Sequence, residues 1–388
     1  MVMMLRHLRS GGGADLLGRA LVAVRLPLCV GAGYALSRVL GSAGMVDTAA
    51  YGYLTTALLG LGLYGATSTI PRAARSDARL IVSVVTVGVV LKVLLIGCVL
   101  ALVFRDPVYF LLAGIIAQID PLSVAALLKN SPMSRRARSL LIAWSSFDDP
   151  VTVLATLVLL TVLPSMAISG TNHAGLMADA GFGTLAADLV VNGALVVGAW
   201  TFARIVRHRR SGHDRMIIGA VGVVYAVAVW RFLMFGLAAA GLFLRPRSPA
   251  WGRWVDRAVQ AALLAAAVLL GILLGGADID LAAGISLGVA AFAAQILVGL
   301  LLTRGLQPTD RVYLSLSQQN GITSIVLALT FQPIVPSAVG VVGVAIAAIN
   351  ILHLACNQAI ARFPRLMLAF AGRIGGEEAP EPVTRSAG

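Results

Sequence analysis

Charge is what this chain has least of. Of its 388 residues only 12% are charged, against about 25% in a soluble globular protein, while 59% are hydrophobic and the mean hydropathy is +0.90. No polar stretch is long enough to bury a core of its own, which excludes a soluble domain. Cysteine is scarce as well. Cys29, Cys98 and Cys356 sit in apolar runs with no metal spacing, which excludes a disulfide framework and a thiolate metal centre; they read as small buried residues. Glutamate is confined to the C-terminal tail, as Glu377, Glu378 and Glu381. The sequence lacks a nucleophile elbow, a P-loop, a zinc pattern and a dinucleotide fingerprint, so it is not read as an enzyme. No cleavable signal peptide is expected, since the first apolar run starts near Ala20 and is interrupted by Arg25.

What is present is a succession of apolar runs. A span needs roughly 20 predominantly apolar residues, and such runs fall at about 20–40, 49–70, 79–104, 108–128, 139–163, 183–206, 215–244, 257–275, 280–303, 312–331 and 337–362. The net charge of +13 is spread over short basic clusters between these runs. That is how positive-inside loops look, so the expected electrostatic partner is anionic lipid and not nucleic acid. Arg72, Arg75 and Arg79, then Lys129, Arg135, Arg136 and Arg138, then Arg204, Arg207, Arg209 and Arg210 mark cytoplasmic loops, whereas 164–182 has neither Lys nor Arg. Alternation holds beyond that point only if 215–244 is two short helices that go out and return, with Arg231 at the outer turn. The expectation is an all-α, multi-pass protein of the cell membrane with about twelve transmembrane helices and both termini cytoplasmic. Residues 1–18 and 374–388 read as mobile tails.

Candidate site residues follow by elimination. Among the carboxylates only Asp120, Asp148 and Asp149 lie clearly inside apolar runs, so chemistry at membrane depth must use them. Asp148 and Asp149 sit side by side in Trp144-Ser145-Ser146-Phe147-Asp148-Asp149-Pro150. Two neighbouring carboxylates at depth do not both ionise readily, which suits a site that exchanges protons for cations. An interfacial turn that lets both reach water conflicts with Phe147 before the pair and Val151 to Leu163 after it. Ser145, four residues before Asp149, shares its helix face. Its hydroxyl either ligates a hard cation or bonds its own helix's carbonyls, and both readings stand.

Two runs are interrupted at mid-depth, one at Gln118-Ile119-Asp120-Pro121-Leu122-Ser123 and one at Ser317-Gln318-Gln319-Asn320-Gly321. Each is second in a group of three runs, 79–163 and 280–362. A matched pair of broken helices points to an inverted-repeat transporter with a midplane site. Asp120 before Pro121 marks a break; it either compensates partial charges where the two breaks cross or caps the second half-helix. Lys92 is central in its run and is expected to pair with an aspartate. His353 reads as a packed polar residue.

Ile119-Asp120-Pro121, a basic loop, then Ser145-Ser146-Phe147-Asp148-Asp149 resembles the monovalent cation:proton antiporters (sodium/hydrogen exchangers), which carry a Thr-Asp-Pro break followed by Ser-x-x-(Asn/Asp)-Asp. The resemblance extends from Arg25-Leu26-Pro27 through Gly321-Ile322-Thr323. It implies that Asp149 matches the ion-binding aspartate, Asp148 its partner and Asp120 the aspartate at the helix crossing. It also implies core segments 77–163 and 280–363 moving against panel segments 19–70 and 183–275, in an elevator-like homodimer. Three departures stand out. Ile119 replaces the threonine; Gln295 occupies the place of a lysine found in many members; Asn320 occupies that of an arginine, with Trp144 in place of its glutamate partner. Lys92 is therefore expected to pair with Asp148.

The expected activity is antiport of Na⁺, Li⁺ or K⁺ against H⁺, with Asp149 binding cation and proton in competition. No catalytic residue and no cofactor are expected, and the one metal is the transported cation. Two alternatives are an intramembrane aspartyl hydrolase using Asp120 with Asp148 or Asp149, and a sodium-coupled organic anion transporter that contacts substrate through Gln318, Gln319 and Asn320.

Overall fold

The computed structural model describes residues 13–40, 44–68, 70, 78–121, 124, 128, 132–162, 182–206, 212–318 and 320–362. Outside these fall the C-terminal tail, the loop 164–182 up to Gly181, Gln319, and the basic residues Arg72, Arg75, Lys129, Arg207, Arg209 and Arg210.

The described residues form thirteen α-helices and no strand: α1 (Gly13–Leu40), α2 (Ala49–Ser68), α3 (Ala78–Phe104), α4 (Val108–Ile116), α5 (Arg135–Val162), α6 (Phe182–Val206), α7 (His213–Arg231), α8 (Met234–Ala240), α9 (Pro249–Leu274), α10 (Leu281–Leu302), α11 (Pro308–Ser315), α12 (Ile322–Phe331) and α13 (Ala338–Arg362). Six of them, in α3, α6, α7, α9, α10 and α13, are long and apolar enough to cross a bilayer. Large apolar side chains such as Val82, Val90 and Leu102 on α3, Trp230 on α7 and Leu354 on α13 point outward. In water such a surface invites aggregation; in lipid it is the solvated face. The chain is a multi-pass membrane protein.

Several boundaries differ from the sequence expectation, each for a local reason. α1 starts at Gly13, inside the stretch read as a tail. α9 starts at Pro249 and not near 257, because Ser248 caps it by accepting from the Ala250 amide and proline suits the first helical position. Cys98 is exposed and the other two cysteines are half-buried, because small apolar residues are tolerated at a lipid face. The stretch 215–244 does break at Arg231, where Phe232 takes a left-handed conformation with φ of 55°. Its halves are unequal, however. The 19 residues of α7 reach about 28 Å, a full crossing, whereas α8 has only 7 residues. The return is completed by turns at 241–243 and irregular chain at 244–246. The two ends meet where the Arg247 amide donates to Asp214 Oδ1 at 2.9 Å.

Arg245 fixes that return leg by donating to the carbonyls of Ile70 and Thr67, both at 2.7 Å. α1 and α9 touch backbone to backbone, since a Cβ on Gly33 would strike the Val268 carbonyl and one on Gly271 the Val30 carbonyl. Small residues allow this approach where no hydrophobic drive exists between lipid-facing helices. The larger apolar core joins α2, α3, α4, α8, α9, α10, α12 and α13. A second core gathers Ile81, Val84, Ile119, Leu140, Trp144 and Leu314 beneath the first break.

Candidate functional site

Two helical paths are interrupted in the membrane-embedded part of the chain. The first runs through α4 and loses helical form at 117–120; helical backbone resumes at Pro121, and the Val124 amide donates to the Asp120 carbonyl. The second leaves α11 after Ser315 and re-forms as α12 at Ile322. A helix end sunk in protein needs partners for its last carbonyls. Those of α4 find them on the other break. Asn320 Nδ2 donates to the Ile116 and Gln118 carbonyls at 2.9 and 3.2 Å, and Gln318 Nε2 donates to the same two at 3.1 and 2.8 Å. Ser324 Oγ accepts from Asn320 Nδ2 at 2.7 Å and from Gln118 Nε2 at 3.0 Å. A neutral amide cluster thus ties the two breaks together. Gly321 is required by space: an added Cβ would lie 2.5 Å from the carboxyl carbon of Asp120.

α5 brings the aspartate pair against this crossing. Asp148 and Asp149 are fully buried and Asp120 is 4% exposed. Asp148 Oδ2 accepts from Lys92 Nζ at 2.8 Å and from the Ile119 amide, part of the first break, at 2.9 Å. Lys92, itself fully buried, stands 5.8 Å over the Trp144 ring. The pair is a desolvated ion pair in which each charge is the other's compensation. Asp149 is placed differently. Its Oδ2 accepts from Thr323 Oγ1 in the first turn of α12 at 2.7 Å, and among the described residues Oδ1 has no hydrogen-bond donor. Pro150 follows inside α5 and has no N–H for the Ser146 carbonyl one turn back.

The remaining candidates divide. Asn320 lies at the crossing. Ser145 is buried on α5 and its hydroxyl donates to the Ile142 carbonyl at 3.2 Å, a bond within its own helix. Gln295 is fully buried but points elsewhere, donating to the Leu314 carbonyl at 3.2 Å. The residue that sequence reasoning misses is Thr323; its one signal is a hydroxyl at the start of the half-helix after Gly321. Elimination by apolar runs also passes over Asp310, which is 3% exposed yet engaged by the Ser134 amide at 2.8 Å and hydroxyl at 2.6 Å.

Solved structures share the fold that holds this site. The structure of the sodium proton antiporter MjNhaP1 from Methanocaldococcus jannaschii at pH 8 superimposes with a TM-score of 0.63 over 87% of this chain and 95% of that one, at 16% identity. This chain has an antiporter fold. An electron-microscopy map of the same antiporter gives a TM-score of 0.57 over 95% of this chain and 96% of that one, at 18% identity. No protein-family model matches the sequence, and no curated protein matches it. The fold is therefore shared with MjNhaP1 at low sequence identity.

Proposed function

We propose that the protein exchanges a monovalent cation, Na⁺, Li⁺ or K⁺, for H⁺ across the cell membrane through one site at Asp149. The observation that carries this reading is the unequal treatment of the two acids. Lys92 compensates Asp148, whereas Asp149 is fully buried with one oxygen lacking a donor among the described residues. A buried carboxylate without a compensating charge is costly. It is relieved by a proton or by a cation, and the two exclude each other on one oxygen pair. Thr323 orients the carboxylate from α12, so occupancy of Asp149 is felt directly by the second interrupted helix. Ser145 and the Ser146 carbonyl supply further oxygens on the same stretch of α5, the ligand type that hard cations take. Asp120 and Asn320 balance the partial charges of the half-helix ends where the breaks cross.

The fold of MjNhaP1, a sodium proton antiporter, supports this reading, and so do the contacts between helix ends. Asp214 with Arg247, Arg245 with Thr67 and Ile70, and Ser134 with Asp310 each join ends that a twelve-crossing arrangement puts on the cytoplasmic side. In that arrangement α11 and α12 count as one crossing, and α8 with the irregular chain after it as another. The two interrupted paths belong to inverted repeats 77–163 and 280–363, which form the moving core. Helices from 19–70 and 183–275 form the panel and the homodimer contact.

The test is cation-dependent dissipation of an imposed pH gradient in proteoliposomes. Wild-type protein should collapse the gradient on addition of one or more of the three cations, with an optimum between acid and alkaline extremes. Asp149→Asn should abolish this while eluting as folded protein. Undiminished flux in that variant would refute the assignment.

A further inference from the structure

α13 is largely apolar, but three polar residues form a ladder toward the second break. Asn350, His353 and Asn357 follow at helical spacing, which puts them on one side. Leu316 is the C-cap residue of α11, and its carbonyl is among those left over at that helix end. His353 Nδ1 lies 2.8 Å from this carbonyl oxygen. Because a carbonyl only accepts, Nδ1 must carry the hydrogen. Nε2 is then an acceptor, and Asn357 Nδ2 stands 2.7 Å from it while also donating to the His353 carbonyl at 3.0 Å. One turn deeper, Asn350 Nδ2 reaches toward the Asn320 carbonyl at 3.5 Å.

We propose that His353 is a positioning residue of the exchange cycle, a clamp on the second interrupted helix whose hold on the Leu316 carbonyl depends on its protonation state. This rests on the antiport reading and extends it to a group that does not touch the ion. In the neutral ring the tautomer is fixed from both sides. A second proton on Nε2 would set two donors face to face, so the Asn357 amide must turn over and release the His353 carbonyl. The bond to Leu316 is meanwhile strengthened, because a cation next to a helix C-terminus is favourable. The clamp therefore tightens in acid and resists movement of the break between α11 and α12, which carries Asn320 and leads into Thr323.

Asp149 and Asp120 also face this break, at Thr323 and at Gly321, but among the described residues only His353 meets the Leu316 carbonyl with an ionisable side chain. α10 and α12, which pack on α13, carry no titratable side chain, and α4 carries only Tyr109, stacked on Phe104. α9 carries Arg253, Asp256 and Arg257 at exposed positions near its start. On α11, Asp310 is held by Ser134, Arg311 donates to the Leu300 carbonyl, and Tyr313 packs in the apolar core. α13 itself adds Cys356 and, in its last turn, Arg362.

The experiment is the pH profile of cation-driven proton flux in proteoliposomes for wild type, His353→Gln and His353→Leu. Gln keeps a donor for Leu316 but cannot take a second proton; its flux should match wild type at neutral pH and persist to lower pH. Leu leaves the Leu316 carbonyl without its imidazole donor, and should lower the maximal rate about tenfold, the scale of one buried hydrogen bond. Partial recovery in Gln relative to Leu would separate the clamp from simple packing. A His353→Gln profile identical to wild type through the acid limb, or a Leu variant with wild-type rates, overturns the inference alone. Wild-type protein without any cation-dependent flux overturns the antiport reading together with it.

Discussion

At the scale of single residues, burial decides which acid is fixed and which is available. Asp148 and Lys92 are both fully buried, and their 2.8 Å contact is the one ion pair at this site among the described residues. Removing one member of such a pair leaves an uncompensated charge and costs about 3–5 kcal/mol, whereas replacing both by neutral groups is far milder. Lys92→Gln should therefore lower thermal stability in detergent sharply, and Lys92→Gln with Asp148→Asn should recover most of the loss. A Lys92→Gln protein that melts with wild type would mean that the pair contributes nothing. Lys92 could be picked out of the sequence because a lysine at the centre of an apolar run has few ways to be satisfied. Its actual partner was legible only once the resemblance showed the two usual counter-ion places filled by Gln295 and Asn320. Thr323 was not legible, because a hydroxyl in a first helical turn is commonplace and nothing local ties it to a residue 174 positions away.

At the scale of elements, proline and glycine carried most of the readable signal. Pro121 after Asp120 and Gly321 after Asn320 mark the two breaks, and the structure interrupts both paths there. The stretch 215–244 was harder. Its length announced a turn near Arg231, but periodicity does not distinguish a short helix from a short helix continued by irregular chain. What closes the return leg is side-chain chemistry: Asp214 Oδ1 takes the Arg247 amide, and His213 Nδ1 stands 3.1 Å from the same oxygen. Asp214→Ala removes that acceptor. Local opening of the 244–248 segment should then become easier, and its backbone amides should exchange with deuterium about tenfold faster than in wild type. Exchange at 67–70, anchored separately by Arg245, should stay unchanged. Equal exchange of 244–248 in both proteins would show that Arg245 alone holds the leg.

At the scale of the whole molecule, charge and hydropathy gave the helical, membrane-embedded character, whereas the number of crossings turned on that one return leg. If 215–244 crossed once, residues 215 and 253 would face opposite compartments. The Asp214–Arg247 contact puts both ends of the leg together, so they should face the same one. After replacement of Cys29, Cys98 and Cys356, single cysteines at exposed positions make this measurable: Arg215→Cys, Arg253→Cys and, beyond α9, Gly276→Cys. A membrane-impermeant maleimide added to inside-out vesicles should label the first two and not the third; added to right-side-out cells, it should label only the third. The 26 residues of α9 reach about 39 Å, enough to separate residue 276 from residue 253 by a full bilayer. Labelling of residues 215 and 253 from opposite sides would remove one crossing. It would invert every helix after α7 and set α11, α12 and α13 antiparallel to the orientation that lets the two interrupted helices cross as inverted repeats.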